Sequence, residues 1–568
     1  MRADHRDLRP FLLADGSTGE RIGARAKYPR SARQLAQKCR DSPSHSRPLR
    51  DDTLNSPGFR SILFPPGFEQ ERAEHSEQPR CFTDLNLDQV VTAIVAGQDE
   101  DVLRPIFYSP CRNEEVIHYR QAVFADLQRT EVFPAFPAFC EAMRLVRANL
   151  AYAEKISHKR HRHMVFLRSI QLYCNGVESF IQSLEPLVLR SAGLKNLRRY
   201  LSNYAKSETF ARLSTEARRL RETLSKLSYG MLFRGDKVIV RKYACEPDYT
   251  VTILERFARF RETHIAPAAS RRPKDDFSLN HIEAGILELV GRVFSKEFSA
   301  LEDCVTRHSS FFDEVIATFD REIGFFIAYL GFIEPLKQTG LPFCNPEVSA
   351  SNKETLALES FDLALATKVV KEKGAVVCND WFLHASERFL VVSGPNQGGK
   401  TTFARMFGQL HFLAGLGCPV PGKRARLFLP DQIFTHFERE EDISNLRGKL
   451  EDELVRLRHT CVAMTSNSVI ILNEIFNSTS LDDQILLSTK VLQQIIMTDA
   501  VGVCVTFIDA LSTLSDKTVS MVSMVMREDP ARRTFKIIRK PADGLAYALS
   551  LAEKRGVTYE QLRTRVRP

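Results

Sequence analysis

The sequence lacks any apolar run long enough to cross a bilayer. The longest, "IGFFIAYLGFI" from Ile323, spans eleven residues between Glu322 and Glu334. A spanning helix needs roughly 18 to 20, so this run predicts a buried helix and no membrane contact. No C-x-x-C pair occurs among the twelve cysteines, which speaks against a zinc ribbon or a disulfide framework and fits reduced thiols in a cytoplasmic protein. The N-terminus has no apolar h-region, so no secretory signal is expected. Strong overall charge is missing too. The balance of 79 Lys and Arg against 70 Asp and Glu leaves +9, and residues 1–60 hold +6 of it, 13 basic against 7 acidic. Any contact with nucleic acid therefore requires a local basic patch.

At 568 residues the chain should divide into roughly three or four domains. Residues 1–60, rich in Arg, Ser, Pro and Asp, read as a disordered basic N-terminal segment, with a DNA-binding arm as the rival reading. Residues 61–365 carry long helical patterns. In "HIEAGILELVGRVFSKEF", Leu287, Leu289, Val290, Val293 and Phe294 recur at helical steps, with charge on the other face. A small β-hairpin interrupts them near 231–252, where "MLFRGDKVIVRK" alternates about a Gly-Asp turn. The cluster "SHKRHRHM" from Ser157 reads as a solvated basic helix face, with a phosphate-contacting patch as the alternative.

From about 366 the pattern alternates strands and helices. "RFLVV", "SVIIL" and "VGVCVTF" are short apolar runs of buried-strand type, and "TTFARMFGQLHFLAGLG" places Phe403, Met406, Phe407, Leu410 and Leu413 on one helix face. "TVSMVSMVMREDPARRTFKIIRK" reads as a hairpin closed at Asp529–Pro530. The expected fold is a helical region followed by an α/β domain with a mainly parallel sheet.

Gly394-Pro395-Asn396-Gln397-Gly398-Gly399-Lys400-Thr401 fits G-x-x-x-x-G-K-[ST] between a predicted strand and a predicted helix. In that context glycines let backbone N–H groups wrap phosphates, Lys400 reaches the terminal phosphate oxygens and Thr401 offers its hydroxyl to Mg²⁺. A second strand ends at Asn473–Glu474. Glu474 is placed to orient or deprotonate a water, whereas Asn473 reaches a metal only through a metal-bound water and adds no negative charge. Ser480 and Asp483 resemble an N-terminal capping box of the next helix.

These residues resemble the MutS family of DNA mismatch-repair ATPases, within the ABC-type group. "GPNQGGKTT" is similar to the family's GPNMGGKST, which adds Thr402 to the loop, and "NEIFNSTS" to its DEIGRGTS, keeping Glu474, Thr479 and Ser480 but not the aspartate. "DQIFTHFEREEDISNLRGKLEDEL" resembles the dimer signature-loop segment, with Arg447 and Glu453 matching and Gly448 where the family has a serine. Phe507 stands at the switch histidine, Asn379 at the adenine-side asparagine and Val376 at the base-stacking aromatic. "DGLAYALSLAEKRG" is similar to the family's S-Y-G-L-A segment. "SPCRNEEVIHYRQAV" looks like its lever core through Pro110, Ile117, Arg120, Gln121 and Val123.

The resemblance implies a P-loop (ABC-type) ATPase domain over 366–568, a lever core over 61–365 and no mismatch-reading domain. It further implies ATP and Mg²⁺ as cofactors, structured or mismatched DNA as partner, and a homodimer formed through the ATPase domains. Slow Mg²⁺-dependent hydrolysis is the expected activity. A nucleotide-gated scaffold that assembles protein partners with little turnover is the alternative, motivated by Asn473, Gly448 and Phe507.

Overall fold

The computed structural model describes residues 59–68, 77–235, 237–244, 279–438, 448–526, 533–542 and 558–565. Several expectations fall outside them: the basic segment up to residue 58, the hairpin's continuation over 245–252, Arg447, the turn at Asp529–Pro530 and most of the S-Y-G-L-A-like segment. Among the described residues no helix is long and apolar enough to cross a membrane. The chain forms two compact units, each built on its own core.

The first unit gathers Phe59 with Glu131–Val188 and Asn196–Ala317. Its main helices are α1 (Ala135–Ala153), α2 (Lys159–Leu184), α3 (Glu208–Ser225), α4 (His281–Val293) and α5 (Ser295–Arg307). Helices α1 and α2 bury one apolar stripe against each other, with the ring of Phe139 stacked on Phe180 at 4.4 Å. A capping box starts α4: Asn280 accepts from the Glu283 N–H while the Glu283 carboxylate accepts from the Asn280 N–H. Strands β1 (Tyr229–Arg234) and β2 (Lys237–Lys242) form the expected hairpin, antiparallel from Tyr229↔Lys242 to Arg234↔Lys237.

The basic cluster at the start of α2 is not a freely solvated face. Lys159 pairs with Glu302 and Arg160 with Glu288, and His161 is buried. Helices α4 and α5 bring those carboxylates alongside, which sequence periodicity along α2 does not reveal. Glu216, Cys304 and His308 also converge. Their chemistry is already committed, however: Glu216 accepts from Arg307 and contacts His308 Nε2 at 2.9 Å, and burial pushes the Cys304 thiol up to about 12.

The second unit holds Arg60–Thr130, Leu189–Lys195 and Thr318–Pro568. Ten of its strands form two sheets. In chain order they are β3 (Glu347–Ser349), β4 (Thr355–Ser360), β5 (Asn379–Leu383), β6 (Phe389–Ser393), β7 (Arg424–Phe428), β8 (Ile433–His436), β9 (Val469–Asn473), β10 (Val501–Val505), β11 (Thr518–Val525) and β12 (Arg533–Arg539). The larger sheet has six strands in the order β8-β9-β10-β6-β11-β12. All its pairings are parallel except β11 with β12. Every residue of β6, β9 and β10 is buried, as expected for parallel strands covered on both faces. Phe389, Val391, Ile470, Leu472, Leu492 and Ile495 share one core.

The smaller sheet, β3-β7-β4-β5, is absent from the sequence reading. Its strands are short and half-exposed, with polar residues breaking the alternation in β4, "TLALES". Its helices include α6 (Leu363–Lys371), α7 (Lys400–Leu416), α8 (Lys449–Ala463) and α9 (Leu481–Met497). Helix α7 is buried along almost its whole length from Phe403 onward. Its far end is held by the lever-like segment: Arg120 is only 2% exposed and donates to Leu63 O at 3.0 Å and Leu416 O at 3.2 Å. A cation at the last carbonyls of a helix also complements its dipole. The run from Ile323 lies inside the helix Glu314–Gln338, with Ile323, Phe325, Phe326 and Tyr329 buried.

Candidate functional site

Strand β6 ends at Ser393 and α7 begins at Lys400, so the glycine-rich loop Gly394–Gly399 joins a buried strand to a buried helix. The loop follows from its residue types. Gly399 has φ +90°, a left-handed backbone that side chains rarely adopt. A Cβ on Gly398 would stand 2.3 Å from Ser523 Oγ. Ser523, fully buried on the neighbouring β11, donates to Gly398 O at 2.8 Å. On the other side Arg533 Nε donates to Asn396 O at 3.1 Å. The neighbouring strands thus hold the loop through its carbonyl oxygens.

Lys400 is 4% exposed. Its Nζ donates to Gly394 O at 3.0 Å and Pro395 O at 3.1 Å, and lies 3.8 Å from Glu474 Oε1. The ring centroid of Phe507 is 4.1 Å from the same nitrogen, within cation–π range. Burial lowers the ammonium's pKa, and nearby Arg533 adds to this against the pull of Glu474.

Glu474 follows β9 directly and has φ +53°, and Phe476 has φ +61°. Two non-glycine residues in this region so close together mark a strained turn. It is held by Glu474 N donating to Val505 O at 2.9 Å and by Phe476 N donating to Glu453 Oε1 at 2.8 Å. Burial works against the Glu453 carboxylate, but His436 and the Phe476 N–H outweigh it and hold its pKa below the usual range. Asn473 is 8% exposed, and its Oδ1 is buried with no hydrogen-bond partner.

A cavity of about 460 Å³ opens beside the loop. Asn396, Gln397, Gly398, Gly399, Lys400 and Thr401 line it together with Thr402 and Glu474. Phe361, Asp362, Leu365, Val376, Phe403, Met406 and Phe535 line it too, with Phe535 beside Gly399. The glycine-rich loop suits phosphates and the apolar side chains suit a flat ring.

Asn379 also lines this cavity, but its amide is engaged by β12. Its Nδ2 donates to Phe535 O at 3.2 Å, and its Oδ1 accepts from Ile537 N at 2.8 Å. Phe535 was not foreseen from the sequence. It has φ +58° and is 49% exposed, and it lies where the β11–β12 register leaves extra residues on β12, between Val525↔Arg533 and Ser523↔Ile537. Sequence alternation carries no sign of such a bulge. Gly448 is the N-cap of α8, away from the cavity lining. Ser480 caps α9 by accepting from Asp483 N at 3.3 Å, but Asp483 Oδ2 receives the Ser480 hydroxyl rather than the reciprocal backbone N–H of a capping box.

A mainly parallel sheet, a glycine-rich strand-to-helix loop with a buried lysine, and a carboxylate at the end of the adjacent-but-one strand make up an α/β domain whose loop has the form that suits a phosphate. Residues 390–560 match the family described as MutS domain V. A segment of 129 residues, 22% of this chain, is 33% identical to the DNA mismatch repair protein MutS of Brevibacillus brevis, covering 15% of that protein. Over 223 residues, 38% of the chain, it is 27% identical to the protein of that name in Ruminiclostridium cellulolyticum, covering 25% of it. In Bacillus subtilis the MutS match is 26% over 190 residues, covering 32% of this chain and 22% of that protein. The likeness to the MutS family thus lies in residues 390–560 and the stretches matched, which span at most about a quarter of these relatives' length.

Proposed function

We propose that this chain is a MutS-related, DNA-associated ATPase of the cytoplasm. Its P-loop domain, residues 366–568, binds ATP in the cavity described and hydrolyses it slowly, and nucleotide state is coupled through the lever core of 61–365 to structured or mismatched DNA. Two copies assemble through their ATPase domains. The observation that carries this reading is the approach of Lys400 Nζ to Glu474 Oε1, 3.8 Å, at a cavity lined by the glycine-rich loop and by apolar side chains.

In this reading the loop N–H groups and Lys400 hold the phosphates, and Val376 and Phe535 flank the base. Glu474 accepts a proton from, or orients, the attacking water. The oxygen donors suit Mg²⁺: the Thr401 hydroxyl directly, and the orphaned Asn473 Oδ1 through a bound water. Mg²⁺ would neutralise phosphate charge. Asn473 contributes a dipole where a carboxylate would contribute a charge, so the metal binds more weakly.

A second reading, a nucleotide-gated scaffold with little turnover, is favoured by the uncharged Asn473 and by Phe507 lying against Lys400. ATP turnover by the purified chain, without DNA and with duplex, mismatched and branched DNA, separates the two. Hydrolysis that disappears in Glu474→Gln and responds to one DNA form supports the ATPase. Tight ATP binding without turnover above that variant supports the scaffold.

A further inference from the structure

We propose that Phe507 sets the nucleotide preference of this site: its ring takes the place on Lys400 that a terminal phosphate requires, so the resting site favours a nucleoside diphosphate over the triphosphate. The inference rests on the nucleotide-binding reading above.

An ammonium has three N–H donors. At Lys400 two go to the carbonyl oxygens of Gly394 and Pro395, at 3.0 and 3.1 Å. The remaining approach is filled by the Phe507 ring at 4.1 Å and the Glu474 carboxylate at 3.8 Å. With Lys400 only 4% exposed, little of the ammonium is left open to an anion. A phosphate that is to touch Nζ must first displace the ring or the carboxylate.

The two are unequal obstacles. Glu474 is fixed by its strained backbone and by the hydrogen bond of its N–H to Val505 O. Phe507 is 45% exposed and follows Thr506, whose N–H donates to Val392 O at 3.1 Å. The ring can therefore move without disturbing the sheet. Its movement forfeits a cation–π contact with a desolvated ammonium and exposes apolar surface. It gives nothing back, because a benzyl side chain has no donor for a phosphate oxygen.

Phosphates bound lower in the cradle meet the loop N–H groups and the N-terminus of α7. They need not reach Lys400 through the ring. The penalty consequently falls on the terminal phosphate of a triphosphate. The sequence hinted at this position only as a substitution; the seat on Lys400 is a three-dimensional contact between residues of β10's exit and α7's first turn.

The test measures ADP and ATP affinities of the full chain by displacement of a fluorescent nucleotide, with magnesium present. Wild type is compared with Phe507→Ala, Phe507→Leu, Phe507→Tyr and Lys400→Ala. Wild type should bind ADP more tightly than ATP. Phe507→Ala and Phe507→Leu should gain roughly tenfold for ATP with ADP changed less than about twofold, and Phe507→Tyr, which keeps the ring, should match wild type. An unchanged ATP:ADP ratio in both ring-free variants overturns the inference. If wild type then still binds nucleotide and Lys400→Ala weakens it, the nucleotide-binding reading survives. No binding of either nucleotide by wild type overturns both.

Discussion

Ser523 Oγ donates a 2.8 Å hydrogen bond to the carbonyl oxygen of Gly398, and this contact ties the glycine-rich loop to a strand more than a hundred residues away. The hydroxyl occupies the space that any side chain at Gly398 would need. Loop geometry is therefore imposed by β11 as well as by the loop's own glycines.

Removing the hydroxyl should cost little stability and more function. Ser523→Ala loses one buried hydrogen bond, about 1 kcal/mol, so urea denaturation should shift only slightly. Nucleotide affinity should fall severalfold because the cradle loosens. Gly398→Ala should be worse, since its Cβ meets Ser523 Oγ at 2.3 Å. Equal nucleotide affinity in Ser523→Ala and wild type would remove the brace from the argument.

Glu474→Gln preserves shape and removes the base. If the carboxylate serves the attacking water, single-turnover hydrolysis should drop by roughly 10² or more while ATP binding is retained. Lys400→Ala should show the opposite pattern, losing affinity first. Wild-type turnover in the Gln variant would place the proton acceptor elsewhere.

The loop and its strand were legible in the sequence because they are local. Eight residues, Gly394 to Thr401, carry the spacing of a phosphate cradle, and the buried runs at β6, β9 and β10 announce parallel strands by being almost wholly apolar. The parts that were not legible depend on distant contacts. Phe535 reaches the cavity through a register shift against β11, Phe507 matters because it meets Lys400, and Arg120 matters because Leu416 lies beside it. In each case the residue type is ordinary and the partner is remote in sequence. Asn379, like Phe507 and Arg120, was singled out by position, yet its contact was not foreseen: its amide is spent on the backbone of β12.

That engagement makes Asn379 and Phe535 separable. Phe535→Ala should weaken nucleotide binding through loss of an aromatic face, worth about 1 kcal/mol or somewhat more; alanine keeps the Cβ and with it the positive-φ strain, and the ring is half-exposed, so stability should be little changed. Asn379→Ala leaves Ile537 N without its acceptor and should lower thermal stability as well as affinity. Parallel calorimetry and nucleotide titration of the two variants check this division. Identical profiles would contradict it.

Arg120 predicts a purely structural effect. Arg120→Ala strands the Leu63 and Leu416 carbonyls in a buried setting and opens a void, together about 3 kcal/mol or more. The denaturation midpoint should fall markedly. Any loss of nucleotide affinity should disappear under conditions where the variant is fully folded, and a loss that persisted would mean that α7 transmits the change to Lys400.

Asp499 gives a pH-dependent prediction. It sits in a left-handed turn, φ +63°, between α9 and β10, and its carboxylate receives Lys353 Nζ and Lys517 Nζ at 2.8 Å and Arg388 Nε at 3.0 Å. Partial burial pushes its pKa up, but the lysines and Arg388 outweigh this and hold it well below the ordinary carboxylate range. Because the folded pKa lies below the unfolded one, its stabilisation is fully present above the unfolded value, about 3.9, and is lost as pH falls toward the folded value. Asp499→Asn should therefore be clearly less stable than wild type at neutral pH, with the gap narrowing as urea melts are repeated below about pH 4. Comparing the two proteins at each pH cancels the titration of the other carboxylates. A gap independent of pH would show that the turn depends on the shape of the side chain and not on its charge.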